Sequence, residues 1–504
     1  MNHAEALARI AQFPAADPVA ALGAGLAFIN ADFPELLLPA ARTLAADHPA
    51  SAQAHQLLGL AARANGESLT AYNAFRAAVR LVPRDALIAH SHARTALEAG
   101  LPAAELFAAA AALAPQDGSI MLGHAAALLH DGRPHEGIAL LERMLAANPL
   151  WIEGHRSLAG LRRQMGQDPL ASLAPALATN PRAPGLHHLA ISLALQARDL
   201  PRAEAAVADA RAALGMPEWL VLLAGHIASE AGAHRTADEH FAAAGKPADA
   251  NAAWMHARHR IRRNQPQVAS ALLDPLLIEP GAQALWPLLA LAWRMLGDPR
   301  HAWLEGDPQL LGVYDLGLSP AELAALADHL RALHVATSAP LDQSVRGGTQ
   351  TDGNLLLRVD APIRDLKARL LTLAERHVAQ LPAPEPSHPT LLAFRKPLRI
   401  AGSWSVRLEG AGFHTDHVHP QGWFSSALYL ALPDTLGQGH EDHAGWLSLG
   451  EARDLVPGLE PLRLVEPKPG RLVLFPSTMW QGTRPFPAGE RLTVAFDIAR
   501  PRQD

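Results

Sequence analysis

Through the first two thirds of the chain the apolar residues recur at three-and-four spacing, as in SIMLGHAAALLHDG and PHEGIALLERMLAANP, the pattern of one face of an α-helix. Two kinds of residue punctuate it. Prolines fall at 49, 83, 115, 149, 181, 217, 247 and 280, at intervals of 30 to 36 residues. Seventeen residues after most of them stands Gly66, Gly100, Gly132, Gly166, Arg198, Asn264 or Gly297, with Gly232 fifteen after Pro217. Glycine or asparagine tolerates the left-handed conformation that ends a helix, and proline cannot continue one. Each unit is therefore predicted to be a helix, a tight turn, a second helix and a proline stop. Small residues seven before and five after the turn mark the expected helix crossings: Gly59 with Ala71, Ala159 with Ala171, and Ala290 with Ala302.

Past about residue 305 the period stops. Helices are predicted from Pro320 to Val335, with Ser319 as N-cap, and from Pro362 to Gln380. Beyond Pro389 the runs GSWSVRLEG, GWFSSALYLALP, GWLSLG, GRLVLFPS and RLTVAFDIA predict short antiparallel strands of a sandwich or barrel. The expected fold class is multidomain α plus β, divided into a helical repeat domain over 1–305, a linker helix over 306–337 and a sheet domain over 338–504.

Composition agrees with this division. The 504 residues, 49% hydrophobic, suffice for more than one core, and aromatics at 5% with abundant Ala and Leu suit closely packed helices. A net charge of −6 argues against a general nucleic-acid binder. Zero cysteines exclude disulfides, thiolate nucleophiles and iron-sulfur clusters, so a metal must use His, carboxylate or amide ligands. The N-terminus lacks the basic and apolar stretches of a signal peptide, and no run reaches the ~18 apolar residues of a membrane span. The expectation is a soluble cytoplasmic protein without nucleic-acid or membrane partners. No G-x-x-x-x-G-K-[ST] or G-x-S-x-G motif is present, and the glycine pair in RGGTQTDG lacks the strand-then-helix setting of a dinucleotide fold.

A helix-turn-helix unit of this period, with these small positions and a terminal proline, resembles the tetratricopeptide repeat over roughly residues 35 to 305. The aromatic landmarks of that consensus are mostly absent. The resemblance implies a concave groove, lined by the first helix of each pair, that takes a peptide or protein segment. On one such helix, WMHARHRIRRN sets Arg258 one turn before Arg262 and His259 one turn before Arg263. That arrangement suits an acidic peptide or a chain-terminal carboxylate; the plainer reading is a solvated arginine face.

Histidine is concentrated late in the chain: His414, His417, His419, His440 and His443 fall within 30 positions. At their centre, GFHTDHVHPQGW nests two i, i+2 pairs, His414 with Asp416 and His417 with His419. On a regular strand each pair shares one face and the two pairs face opposite ways, so only one can look into a barrel.

Three stretches, PLDQSVRGGTQTDGNL, SWSVRLEGAGFHTDHVHPQGWFSSALYLALP and PGRLVLFPSTMWQGTRPFPAGERLTVAFDI, resemble the iron(II)- and 2-oxoglutarate-dependent oxygenases, in the bacterial branch where this domain follows tetratricopeptide repeats. The resemblance covers about residues 338 to 500 and implies a double-stranded β-helix (a jelly-roll, cupin-like fold) with supporting helices, holding Fe(2+) and 2-oxoglutarate. By the family pattern Arg491 and Thr493 form the pair that binds the far carboxylate of 2-oxoglutarate, and Tyr429 lies where relatives contact the same molecule. Arg407 and Trp423 are placed as pocket wall or packing. Ten residues before Arg491, where relatives carry the distal metal-binding His, this chain has Gln481.

The proximal ligands stay open. Aligning Gly412-Phe413 with the glycine-aromatic step of related hydroxylases selects His417 and His419, with Asp416 as acceptor for an imidazole N–H; ligand charge favours His414 and Asp416. The resemblance implies an oxygenase that hydroxylates a peptide or protein side chain delivered by the repeats. Gln481 motivates a second reading, a catalytically impaired scaffold or 2-oxoglutarate sensor. A third is a nonstandard metal site that recruits His440 or His443.

Overall fold

The computed structural model describes residues 1–278, 282–341, 343–433, 436, 443–486 and 488–503; Pro280 and His440 lie outside them. Helix pairs follow one another from Pro18–Asn30 with Pro34–Asp47 to Trp286–Leu296 with Arg300–Glu305. Between the members of each pair the predicted turn residues are left-handed. Gly66, Gly100, Gly132, Gly166, Gly232 and Gly297 have φ between 65° and 77°, Arg198 and Asn264 have 57° and 56°, and Asp32 takes the same role one period earlier at 63°. Two residues beyond the prolines, Ser51, Asp85, Asp117 and Asp249 accept hydrogen bonds from the first turn of the next helix. Each such cap is worth about 1 kcal/mol.

The small positions divide. Ala71 is buried and a Cβ added to Gly59 would stand 2.6 Å from the Phe75 ring, so these helices do cross there. Ala159 and Ala290 are buried as well, but their expected partners Ala171 and Ala302 are exposed. The second helices are short in those units: Leu173–Thr179 begins beyond Ala171, and Arg300–Glu305 has six residues.

The strands are β1 Gly312–Asp315, β2 Val345–Gln350, β3 Ile400–His414, β4 Gly422–Ala431, β5 Leu447–Leu449, β6 Arg463–Val465, β7 Arg471–Pro476, β8 Gln481–Thr483 and β9 Arg491–Ala499. They form two antiparallel sheets, β1-β7-β4-β9-β3-β2 and β6-β5-β8, in a jelly-roll-like domain. The stretch 306–337, expected as a linker helix, holds helix Pro320–Arg331 but also β1, which pairs with β7 at the sheet edge. Helices Pro320–Arg331 and Ala361–Ala379 cover one face of the larger sheet, where Leu326, Leu330, Ile363, Leu366 and Leu370 meet Leu428, Leu472, Leu492, Val494 and Phe496 in one core.

The two parts are clasped at regular intervals. Successive helix turns each touch the second part of the chain: Arg399 bonds Asp32 and Glu35, Lys367 Nζ donates to Gly66 O (3.0 Å), Val359 N to Ala99 O (3.0 Å) and Thr337 N to Gln164 O (2.8 Å). Arg358 meets His130 at 2.9 Å, and Arg198 reaches Thr415 at 3.2 Å. Beyond these contacts a shared apolar core joins Trp286, Leu289 and Trp293 to Ala452, Leu455 and Trp480, and Trp480 Nε1 donates to Pro287 O (2.9 Å). The solenoid is thus a fixed wall along the sheet domain.

Candidate active site

Strand β9 alternates strictly. Leu492, Val494, Phe496 and Ile498 enter the helix-covered core, whereas Arg491, Thr493, Ala495 and Asp497 line a small cavity of about 50 Å³ on the opposite face. His414, His417, His419, Gln481 and Trp404 line the same cavity. Strand β3 ends at His414, so the segment after it is released from strand alternation and both histidine groups reach one space.

Each of the three imidazoles is fixed through Nδ1. His414 meets Ser344 Oγ at 2.9 Å, His417 meets Thr415 O at 2.8 Å and His419 meets Asp497 Oδ2 at 2.8 Å. The other Asp497 oxygen accepts from Ser425 Oγ (2.7 Å), which also contacts Ser477 Oγ (2.9 Å), and Trp404 stacks on the His419 ring. Such outer partners set ring orientation and leave Nε2 as the donor atom for a metal. The His417 ring centroid lies 5.0 Å from that of His419 and 6.0 Å from that of His414. Burial, followed by the His419 charge, pushes His417 down to about 3, and burial places His414 well below the usual imidazole range. Both rings are therefore neutral at any ordinary pH.

Asp416 does not join them. Its carboxylate is clamped by Arg453, whose backbone N and Nε donate to Oδ2 at 2.7 and 2.8 Å and whose second terminal nitrogen donates to Oδ1 at 2.5 Å. The carboxylate that meets an imidazole is instead Asp497, at His419. Gln481 does sit at the cavity, opposite His417 in an isolated bridge. Two imidazoles and a neutral amide suit a divalent ion at two corners and lack the carboxylate of the two-histidine, one-carboxylate arrangement. Among the described residues no three His, Asp or Glu side chains gather into a metal-binding group. His443 packs edge-on against Trp446, 4.6 Å between ring centroids.

The same cavity holds a buried cation, Arg491. Arg491 is 2% exposed, and its Nε is buried without a hydrogen-bond partner. Its guanidinium carbon lies 5.1 Å from the centroid of the Tyr429 ring, whose hydroxyl is likewise buried and unpartnered. Burial lowers the Arg491 pKa and raises that of Tyr429. A buried cation beside an unused hydroxyl, with Thr493 on the same strand face, has the donors that a carboxylate requires. Arg407 and Trp423 are elsewhere: Arg407 pairs with Glu490 at 2.7 Å, and Trp423 lies in the helix-covered core with Nε1 on Thr390 O (2.8 Å).

Residues 402–497 match the family model described as "Putative 2OG-Fe(II) oxygenase". The chain carries a 2OG-Fe(II) oxygenase-type domain. Among solved structures it is similar to a Pseudomonas putida prolyl-4-hydroxylase (18% identity, 38% of this chain and 93% of that one, TM-score 0.27). It is also similar to HygX from Streptomyces hygroscopicus, solved with nickel and 2-oxoglutarate (14%, 38% and 82%, TM-score 0.26), and to a tetratricopeptide repeat protein from Parabacteroides merdae (14%, 53% and 95%, TM-score 0.29). No curated protein matches the sequence. Among the described residues no helix is long and apolar enough to cross a membrane.

The oxygenase-type site opens on a cleft of about 760 Å³. One wall is the repeat domain, through Leu195, Arg198, His226, Glu230, Trp254 and Arg258; the other includes His417, Val418, His419, Pro420 and Trp480. The cleft arginines are not the free cationic pair that the sequence suggested. Glu230 accepts from Arg258 Nε (2.8 Å) and from Arg262 (3.0 Å), and its own pKa is pushed to about 2, the two guanidiniums outweighing its burial. His259 is fully buried on Ser229 (2.9 Å) and Asp238 (3.2 Å).

Proposed function

We propose that the protein is an iron(II)- and 2-oxoglutarate-dependent oxygenase that hydroxylates a peptide or protein side chain held between its two parts. In this reading residues 1–305 form the recognition wall, 306–337 the connection and 338–504 the oxygenase domain. The supporting observation is the cleft, in which the inner surface of a peptide-type solenoid and two cavity histidines face one space. His417 and His419 would hold the metal, with Gln481 at the third corner and His414 beside them; Arg491, Thr493 and Tyr429 would bind the far carboxylate of 2-oxoglutarate. Iron and 2-oxoglutarate supply the oxidising chemistry when bound. The chain's own residues do the rest. Asp497 holds the His419 ring and Thr415 the His417 ring, and burial keeps His417 unprotonated.

Incubation of the full chain with iron(II), 2-oxoglutarate and a peptide library should yield succinate and a peptide heavier by one oxygen. Absence of turnover with every divalent metal tried would overturn the reading. A second reading is favoured by Gln481 together with the capture of Asp416 by Arg453, which leave the site without an anionic ligand: a 2-oxoglutarate sensor or scaffold. Calorimetry separates the two, because the sensor binds 2-oxoglutarate without binding iron.

A further inference from the structure

We propose that Gln350 is a further binding residue for 2-oxoglutarate, its carboxamide donating to the carboxylate held by Arg491 and Thr493. The proposal rests on the oxygenase reading and adds to it a residue that lies ahead of 402–497, the stretch that matches the family model.

Strand pairing brings Gln350 to the site. β2 runs beside β3 and β3 beside β9, and the register across them sets Gln350 opposite Val406, Val406 opposite Thr493 and Thr493 opposite Tyr429. Residues directly opposed in antiparallel strands share one face of the sheet. The neighbouring Thr349 takes the other face, where its Oγ1 meets His334 Nδ1 at 2.7 Å. Alternation then turns Gln350 inward, and it lines the small cavity with Arg491, Thr493, Trp404 and His414. Arg491 stands one row away, opposite Leu408 and, beyond it, Gly348, which brings no side chain of its own.

The polar atoms of this face lack partners. Gln350 is 9% exposed, and its Oε1 is buried without a hydrogen bond. Tyr429, in the same row, has its hydroxyl in that state, and Arg491, one row on, its Nε. Buried polar groups left unbonded cost stability, so three on one sheet face point to a guest molecule that bonds them. The guest is an anion. Among the described residues that line the cavity the one carboxylate is Asp497, and it is engaged by His419 (2.8 Å) and Ser425 (2.7 Å), which leaves Arg491 without a counter-charge there. A carboxamide rotates about its last side-chain bond to present either its oxygen or its NH2, and the NH2 adds donors beside the guanidinium without adding charge.

Calorimetry of the full chain with 2-oxoglutarate, with and without cobalt(II), tests the assignment. Gln350→Leu removes both polar ends and should weaken binding roughly tenfold or more, the loss expected for a hydrogen bond to a charged group. Its melting temperature without ligand should be unchanged or higher, because Oε1 makes no bond to the fold. Gln350→Glu, equal in shape, should bind more weakly still, since its carboxylate competes with the guest for Arg491. Undiminished affinity in either variant overturns the role of Gln350 and leaves the oxygenase reading standing. Weaker binding that comes with a lowered melting temperature in Gln350→Leu assigns the residue to the fold and overturns it as well. A wild-type chain that binds no 2-oxoglutarate under either condition overturns both.

Discussion

His417 and Gln481 exchange both backbone hydrogen bonds: each N–H donates to the other's carbonyl at 2.9 Å. The two side chains therefore start from directly opposed backbone positions of a hydrogen-bonded antiparallel pair. That pairing sets position 481 beside the histidines at the cavity independently of any spacing to Arg491.

Gln481→His should consequently tighten iron(II) or cobalt(II) binding. Losing an outer partner of a metal site costs roughly 10 to 100-fold in affinity, so gaining a direct imidazole should give at least about that order. Titration of the stripped protein with cobalt, followed by absorbance, measures it. His417→Ala should abolish binding in both backgrounds, and unchanged affinity in Gln481→His would remove position 481 from the metal.

Tyr429→Phe separates folding from binding. The Tyr429 hydroxyl is buried with no close hydrogen bond, its one polar neighbour being the Arg491 guanidinium over the ring, so its removal should change stability by no more than about 1 kcal/mol. Affinity for 2-oxoglutarate should fall, and Arg491→Lys should lower it further because an ammonium cannot reproduce the guanidinium fork. Weaker folding with undiminished 2-oxoglutarate binding would refute the assignment.

Asp416→Asn is expected to behave in the opposite way. Asp416 is nearly inaccessible and is bonded three times by Arg453, so neutralising it strips a buried pair of one partner. A loss of about 3 kcal/mol is expected, measured by urea denaturation, with metal affinity per folded molecule retained. Loss of metal binding at full stability would return Asp416 to the ligand set.

The parts legible in the sequence are those in which one residue decides a local conformation. Left-handed turns favour Gly or Asn, prolines stop helices, and Arg491, Thr493 and Asp497 share a face because strand side chains alternate. Asp497 was within reach of that same alternation, two steps beyond Thr493. The illegible parts depend on distant partners. Nothing near Asp416 in the chain announces Arg453, 37 residues on. Glu230, which neutralises Arg258 and Arg262, sits 28 and 32 residues before them, one repeat earlier. The clasp of helix turns on the oxygenase domain likewise pairs Gly66 with Lys367, 301 positions away.

Buried histidines fix how stability depends on pH. Burial lowers His226, His334 and His377 to about 4 and His417 to about 3. The unfolded chain takes up these protons near pH ~6.5, whereas the folded protein refuses them until about pH 4. The unfolded state therefore binds more protons between those values, and stability falls as pH falls through that window, while above it the contribution is complete. Each such imidazole gives at most about 1.4 kcal/mol per pH unit, so His226, His334 and His377 together set a ceiling of about 4 kcal/mol per unit. Glu230, held near 2, adds a loss of the same sign at lower pH. Against a typical total of roughly 5–15 kcal/mol, this ceiling is a substantial share of the stability at mildly acidic pH. Melting temperatures taken from about pH 7.5 down to 4.5 should be flat at first and then drop steeply. His377→Gln should remove about one imidazole's share of that slope, and a melting temperature constant down to about pH 5 would show that these rings take up protons in the folded state.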